Sequence, residues 1–90
     1  MNLTKDYNEQ QLEQIIKDHI VKEFMYNKSD VLLSNDLPLI KEGIIDSMGI
    51  FQLINFIEQQ FGFTLNPEEV SRKNFQTINA IKSFVITKLQ

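Results

Sequence analysis

The sequence predicts an all-α fold, a small four-helix bundle of three longer helices and one short third helix, with a long loop between helices one and two. Three segments repeat apolar residues at the i, i+3, i+4, i+7 spacing that gives a helix one buried stripe. Helix-capping residues stand before each of these segments. Val31 to Leu33 has strand-like residues, but no second candidate strand could pair with it. The pattern therefore favours a helical bundle.

Composition narrows the classes of function. With 90 residues and 42% hydrophobic content, the chain is expected to form one domain over 8–90 behind a disordered tail, 1–7. It has no cysteine, which excludes a disulfide, a thiolate metal site and a cysteine nucleophile. No residues in the sequence have the spacing typical of metal ligands. A net charge of −3 with scattered basic residues argues against nucleic acid as a partner. The chain has no apolar run of about 20 residues, so we expect no membrane association. We also expect the protein to be a cytoplasmic monomer.

The first helix is predicted to begin at Asn8, which forms a capping box with Gln11, and to end near Tyr26. His19 lies on or beside its buried face, where a single histidine is more often a boundary residue of the core than a catalyst. The expected buried stripe is Leu12, Ile15, Ile16, Ile20 and Phe24.

The connection from Ser29 to Ile45 is too apolar for a solvated linker, so we expect it to pack on the bundle and to place Ser47 at the surface. Its apolar residues are Leu32, Leu33, Leu37, Pro38, Leu39, Ile44 and Ile45.

The second helix follows in the segment GIIDSMGIFQLINFIEQQF, from Gly43 to Phe61. Asp46 is predicted to be its N-cap, which places Ser47 in the first turn, where free amides and the helix dipole favour a phosphate. The predicted buried stripe is Ile50, Leu53, Ile54, Ile57 and Phe61.

The opposite side of this helix is predicted to contact partners. Turning about 100° per residue places Met48 opposite the stripe and Phe51 on the side of Ser47, with Gln52 and Asn55 beside them. Gly49 is unfavourable inside a helix unless another group must approach closely.

The remaining chain predicts two more helices. Asn66 as N-cap and Pro67 at the first position should open a short third helix ending near Lys73, with Leu65 and Val70 as a hydrophobic staple. Phe75 should fill the core. Thr77 should cap the last helix, whose buried stripe is expected to be Ile78, Ile81, Phe84, Val85 and Leu89.

The chain resembles a known family over about residues 12–89, and the motif around Ser47 carries this resemblance. Leu39, the run from Gly43 to Gly49, Leu53 and Phe61 resemble the acyl and peptidyl carrier proteins. The resemblance implies that Ser47, next to the motif residue Asp46, receives 4′-phosphopantetheine from coenzyme A. It also implies as partners a phosphopantetheinyl transferase, an adenylating or other acyl-loading enzyme, and downstream tailoring or condensing enzymes.

The second helix departs from the carriers of fatty-acid synthesis, which resemble one another in a strongly acidic second helix. Residues 47–61 hold one charge, Glu58, and the segment NPEEVSRKNFQTINAI resembles free-standing peptidyl carriers. We therefore expect a free-standing carrier of an aminoacyl or acyl thioester in specialised natural-product biosynthesis, with proline as one candidate cargo. The alternatives are a fatty-acid or polyketide carrier and a non-carrier helical interaction module, in which Ser47 is only a cap.

An enzyme is disfavoured by the residues themselves. Hydrolysis at Ser47 would need a base, and the single histidine, His19, belongs to another helix. Glu68 and Glu69 are adjacent, so they point about 100° apart and cannot face each other as an acid and base pair. We expect no catalytic residue.

Overall fold

Residues 7–25 and 33–89 are described by the computed structural model, and within them the chain forms four α-helices. No strand occurs in this part of the chain, so the predicted all-α four-helix fold is confirmed. None of the helices in these residues is long and apolar enough to cross a membrane. The helices are α1 (Glu9–Phe24), α2 (Ser47–Phe61), α3 (Arg72–Phe75) and α4 (Ile78–Leu89).

The start of α1 matches the predicted capping box. The side chain of Asn8 accepts a hydrogen bond from the Gln11 N–H at 2.8 Å, and the Gln11 side chain accepts one from the Asn8 N–H at 2.8 Å. The predicted end near Tyr26 is two residues too late. Met25 already leaves helical geometry, with φ −120° and ψ 14°.

The N-terminal side of the domain includes Tyr7, which we had expected in the disordered tail. Its ring packs edge-on against Phe61 with centroids 5.2 Å apart, and its hydroxyl lies 3.4 Å from the carbonyl of Gln60. The packed structure therefore begins at least one residue before Asn8. Residues 1–6 lie outside the described part of the chain, so the tail there stays a prediction.

The core is formed by the predicted stripes, with their edges only half-buried. Ile50 of α2 and Phe84 of α4 were predicted within these stripes, yet both keep part of their surface exposed. Helices α1 and α4 are joined at the surface by an ion pair of 3.0 Å between Glu13 and Lys82. The buried apolar side chains of the helices are those of Leu12, Ile16, Ile20, Leu53, Ile54, Ile57, Phe61, Phe75, Ile78, Ile81 and Val85.

The loop before α2 packs on the bundle as predicted. Leu39, Ile44 and Ile45 are buried, and the Leu39 N–H donates to the carbonyl of Gln76 at 2.8 Å. The Leu39 carbonyl in turn accepts from the N–H groups of Ile44 and Ile45, at 2.9 and 3.2 Å. Gly43 supplies the left-handed conformation, φ +76°, that this turn needs. Val31 and Leu32, part of the rejected strand, lie outside the described residues.

The prediction of one continuous short helix from Pro67 to about Lys73 is wrong. The chain forms a 3-10 helix over Pro67–Glu69, extends through Val70 and Ser71, and then forms α3. The carbonyl of Glu69 accepts from the Ser71 N–H and from the Asn74 side chain, both at 2.9 Å. These bonds satisfy a carbonyl that a continuous helix would have used, so the break is stable.

The two predicted apolar residues on either side of α3's start differ in burial. Val70, the predicted staple partner of Leu65, is 36% exposed. Phe75 is fully buried, as predicted. The Thr77 hydroxyl accepts from the Ala80 N–H at 3.0 Å, which confirms the predicted cap of α4.

Candidate functional site

The start of α2 is held by its N-cap and by the preceding loop. Asp46 has extended backbone geometry, and its carboxylate accepts a hydrogen bond from the Gly49 N–H at 2.7 Å. Its carbonyl accepts the first helical bond, from Ile50 at 3.0 Å. Ile45, just before the cap, is buried and bonded to Leu39. The N-cap prediction for Asp46 is confirmed, and the backbone on both sides of Ser47 is fixed.

Ser47 is the first residue of α2, and its side chain is exposed. It lies at the positive end of the dipole of a 15-residue helix, where negative charge is favoured. A hydroxyl in this position is accessible to another molecule. The helix start also suits a phosphate attached to it.

A shallow groove of about 360 Å³ opens beside Ser47. It lies between the turn before α2, the first turns of α2 and the segment that leads into α3. Its lining combines one cation, Arg72, with two hydroxyl groups and four apolar side chains. The lining residues are Ile40, Ser47, Ile50, Phe51, Val70, Ser71 and Arg72.

The side of α2 that turns away from the core is uncharged and exposes two large apolar side chains. Met48 is 71% exposed and Phe51 is 61% exposed, and Gln52 and Asn55 are exposed as well. We call these four residues the outer face of α2. Glu58, the single charged residue of α2, is half-buried and accepts from the Leu65 N–H at 2.9 Å. The structure places the predicted partner residues together and outside the core.

Comparison with known proteins identifies the family of this fold and site. The model of the phosphopantetheine attachment site family matches residues 14–85. The probable acyl carrier protein PigG of Serratia sp. (strain ATCC 39006) is 30% identical over 74 residues, which cover 82% of this chain and 84% of the relative. The chain belongs to the phosphopantetheine-binding carrier proteins.

Other relatives carry the name of a cargo. The D-alanyl carrier protein of Abiotrophia defectiva is 28% identical over 82% of this chain and 81% of the relative. That of Lactococcus lactis subsp. cremoris (strain MG1363) is 40% identical over a shorter segment, 59% of this chain and 67% of the relative. As a member of this family, the carrier has 4′-phosphopantetheine as its prosthetic group.

Gly49 of the carrier is buried under α1. A Cβ atom at this position would stand 2.8 Å from Cε1 of Phe24 and 3.1 Å from Cγ2 of Ile45. The close approach that would justify a glycine inside α2 is therefore made by α1 and by the loop. The first turn of α2 is therefore in close contact with α1 and with the loop.

His19 of the carrier is remote from Ser47. Its ring stacks on Phe56, with centroids 3.7 Å apart and planes 10° from parallel, and packs edge-on to Phe24 at 6.0 Å. Burial lowers the pKa of His19 below its ordinary value of 6.5, against the opposing effect of Glu23. Phe56 follows Ser47 by nine residues, about 13 Å along the helix and on its opposite side. The interpretation of His19 as a boundary residue of the core is confirmed.

The two adjacent glutamates, Glu68 and Glu69, lie in the segment before α3 and differ in their surroundings. Glu68 is exposed, whereas the carboxylate of Glu69 accepts from the Asn66 N–H at 2.8 Å and pairs with Lys88 at 3.0 Å. These two partners, the amide first, lower the pKa of Glu69 below 4.5. Among residues 7–25 and 33–89, no group of histidine, aspartate and glutamate side chains could hold a metal ion.

Sequence reasoning gave no site role to five of the seven residues that line the groove, namely Ile40, Ile50, Val70, Ser71 and Arg72. The continuous third helix expected from the sequence paired Val70 with Leu65 as a staple and gave no special place to Arg72. The break after Glu69 brings both residues to the groove, and it depends on bonds between Glu69, Asn74 and Lys88 that no short motif signals. The family resemblance identified the hydroxyl but not its surroundings.

Proposed function

We propose that Ser47 bears the 4′-phosphopantetheine and that the protein holds an aminoacyl or acyl group as a thioester on this arm. The observation that carries the proposal is the exposed hydroxyl at the first position of α2, next to the Asp46 cap and within the segment that matches the family. The residues fit the group. The helix start favours the negative phosphodiester, and the groove beside Ser47 adds the cation of Arg72.

Attachment requires little chemistry from the chain. The Oγ of Ser47 would form a bond to the β-phosphorus of coenzyme A and lose its proton, while adenosine 3′,5′-bisphosphate leaves. The arm supplies the thiol, which the cysteine-free chain lacks, and so allows a thioester. The chain fixes the position of the hydroxyl through the bonds of Asp46 and Ile45.

We further propose that the protein is acted upon by enzymes and is not itself one. Proton removal from Ser47 needs a base, and the ring of His19 stacks on Phe56, which lies about 13 Å from Ser47 along α2 and on its other side. A phosphopantetheinyl transferase would supply that base. The outer face of α2 offers a transferase, an adenylating or acyl-loading enzyme and later tailoring or condensing enzymes an apolar contact around Met48 and Phe51.

The proposed cargo is an amino acid, with proline among the candidates, in a specialised biosynthetic pathway in the cytoplasm. The D-alanyl carrier relatives support an aminoacyl cargo by their names, and PigG supports an acyl cargo in the wider sense. The uncharged outer face favours this assignment over fatty-acid synthesis. A fatty-acid or polyketide acyl group is the second candidate, since the lining of the groove is largely apolar.

Intact mass spectrometry tests the attachment site. The apo protein is incubated with coenzyme A and a broad-specificity phosphopantetheinyl transferase, and the wild type should gain one phosphopantetheine. Ser47→Ala should gain none. Ser71→Ala, which removes the other hydroxyl of the groove, is the matched control and should gain one. A modified Ser47→Ala protein would refute the site, and an unmodified wild type would favour the plain interaction module.

A loading assay tests the cargo. The holo protein is incubated with ATP, candidate adenylating enzymes and a panel that includes proline, D-alanine and short acyl acids, and thioesters are detected by mass and by release with hydroxylamine. We expect amino acids to load and fatty acids not to load. Preferential loading of acyl chains would support the second candidate.

A further inference from the structure

We propose that Arg72 is a positioning residue for the phosphodiester that links the arm to Ser47. This inference rests on the proposed attachment site and adds a residue outside the sequence motif. The guanidinium would form an ion pair with the single negative charge of the phosphodiester. The arm would thus be directed along the groove toward α3 rather than across the outer face of α2.

The geometry of the groove carries the inference. Ser47 and Arg72 line the same hollow of about 360 Å³, and Arg72 is its one charged lining residue. Arg72 also lines an adjoining hollow with Lys41 and Gln76, so its side chain stands at the edge between the two. A phosphate on Ser47 would face a cation on the α3 side. An arginine suits this task because its planar group can make two parallel hydrogen bonds to phosphate oxygens.

The charge of Arg72 is not used elsewhere in the described residues. The two ion pairs found there, Glu13 with Lys82 and Glu69 with Lys88, leave Arg72 out, and its side chain is exposed. An exposed arginine without a carboxylate partner is available to an incoming anion.

A phosphodiester on Ser47 would also need a compensating charge. Asp46 directly precedes Ser47, and its carboxylate, although bonded to the Gly49 N–H, repels a second negative group nearby. The dipole of α2 opposes this repulsion in part. A cation across the groove would complete the compensation.

The chain segment around Arg72 is fixed in a way that suits a positioning role. Glu69, three residues earlier, is tied to the Asn66 N–H and to Lys88 of α4, and its carbonyl bonds to Ser71 and Asn74. These contacts end the 3-10 helix and set where α3 begins. Arg72 is the first residue of α3 because of that break.

Nuclear magnetic resonance of the holo protein tests the proposal without any loading enzyme. The variants are Arg72→Gln and Arg72→Lys, with Lys73→Gln as a matched control, because Lys73 is a neighbouring cation that lines a different groove. The readouts are the phosphorus chemical shift of the phosphodiester and the shift changes that modification causes at the amides of Ile40 and Val70. Intact mass first establishes that each variant is modified.

In the wild type, modification should shift the Ile40 and Val70 amides, and these changes should fall at least threefold in Arg72→Gln. They should also fall when sodium chloride is raised from about 20 mM to about 500 mM, because the ion pair is screened. Arg72→Lys should keep part of the effect, and Lys73→Gln all of it. Changes in Arg72→Gln equal to those of the wild type would overturn the role of Arg72, whereas a wild type that is not modified at Ser47 would overturn the proposed function instead. Should Arg72→Gln lose its folded spectrum, full wild-type changes at high salt would equally refute the ion pair.

Discussion

Phe24 of α1 lies so close to Gly49 of α2 that a single methyl group at Gly49 would stand 2.8 Å from its ring. Ile45 limits the same space at 3.1 Å. Both contacts are made at Gly49, two residues after Ser47. The position of the attachment helix is therefore set partly by how closely α1 can approach its first turn.

Gly49→Ala should lower the free energy of unfolding, although helix propensity alone predicts a gain of about 1 kcal/mol. Inserting a methyl group into a packed site typically costs about 1 to 3 kcal/mol. Urea unfolding measures the difference. Phe24→Ala combined with Gly49→Ala should recover the loss caused by the methyl group, as a double-mutant cycle would show. A more stable Gly49→Ala protein would mean that Phe24 moves away freely.

The rotation of α2 about its axis can be tested by three truncations. Ile57 is fully buried and Ile54 is 7% exposed, whereas Met48 is 71% exposed. Replacing either isoleucine with alanine should destabilise the domain by about 2 to 5 kcal/mol, because a cavity remains in the core. Met48→Ala should cost far less stability and should weaken recognition by partner enzymes. Equal losses in all three would show that α2 is rotated from the orientation described.

The stacked pair of His19 and Phe56 should make stability depend on pH. The pKa of His19 is lowered from 6.5 in the folded protein by burial, and its Nε2 atom is buried without a hydrogen-bond partner among the described residues. The unfolded chain therefore binds the proton more readily. The free energy of unfolding should be highest above pH 6.5 and should decrease as the pH falls below it, until His19 is also protonated in the folded state.

His19→Phe should keep the ring stack and remove this dependence. Asp18, Lys22 and Glu23 of α1 surround His19, and α2 faces it with uncharged side chains, so no carboxylate of α2 compensates a proton there. Urea unfolding of both proteins at about pH 7.5 and about pH 5.5 isolates the effect, since carboxylates titrate mainly below this window. Equal pH dependence in the two proteins would assign it to other groups.

The starts of three helices could be predicted because each is set by residues that are close together in the sequence. The capping box of Asn8 and the caps of Asp46 and Thr77 each depend on residues within three positions of one another, and all three are present. The stripe of α2 was correct at Ile57 and only partly correct at Ile50, which lies at the stripe's edge beside the groove.

The segment after α2 could not be derived in this way. Asn66 and Pro67 gave the correct start, but the 3-10 helix ends where the Glu69 carbonyl bonds to Ser71 and Asn74, and the Glu69 carboxylate pairs with Lys88, 19 residues away in the chain. A distant partner of this kind leaves no local pattern. The groove beside Ser47 joins residues from the turn before α2, from α2 and from the start of α3, so it became visible only in the folded structure.

The outer face of α2 gives the last prediction, on salt and enzyme recognition. Electrostatic steering toward an acidic helix weakens as salt shortens the screening length to about 8 Å at physiological ionic strength. Met48 and Phe51 are exposed, Gln52 and Asn55 are uncharged, and Glu58 is engaged by the Leu65 N–H. Recognition should therefore depend on burying apolar surface, which salt does not screen.

The Michaelis constant of the loading enzyme for the carrier should change little between low and moderately high sodium chloride. Met48→Ala and Phe51→Ala should each raise it several-fold, while Gln59→Ala, an exposed polar position on the same side of α2 but 12 residues after Ser47, serves as the control and should not. The assay measures loading across a sodium chloride series with the four proteins. A steep salt dependence of the wild type, together with indifference to both apolar truncations, would refute apolar recognition. It would direct attention to exposed carboxylates elsewhere, such as those of Glu42 and Glu68.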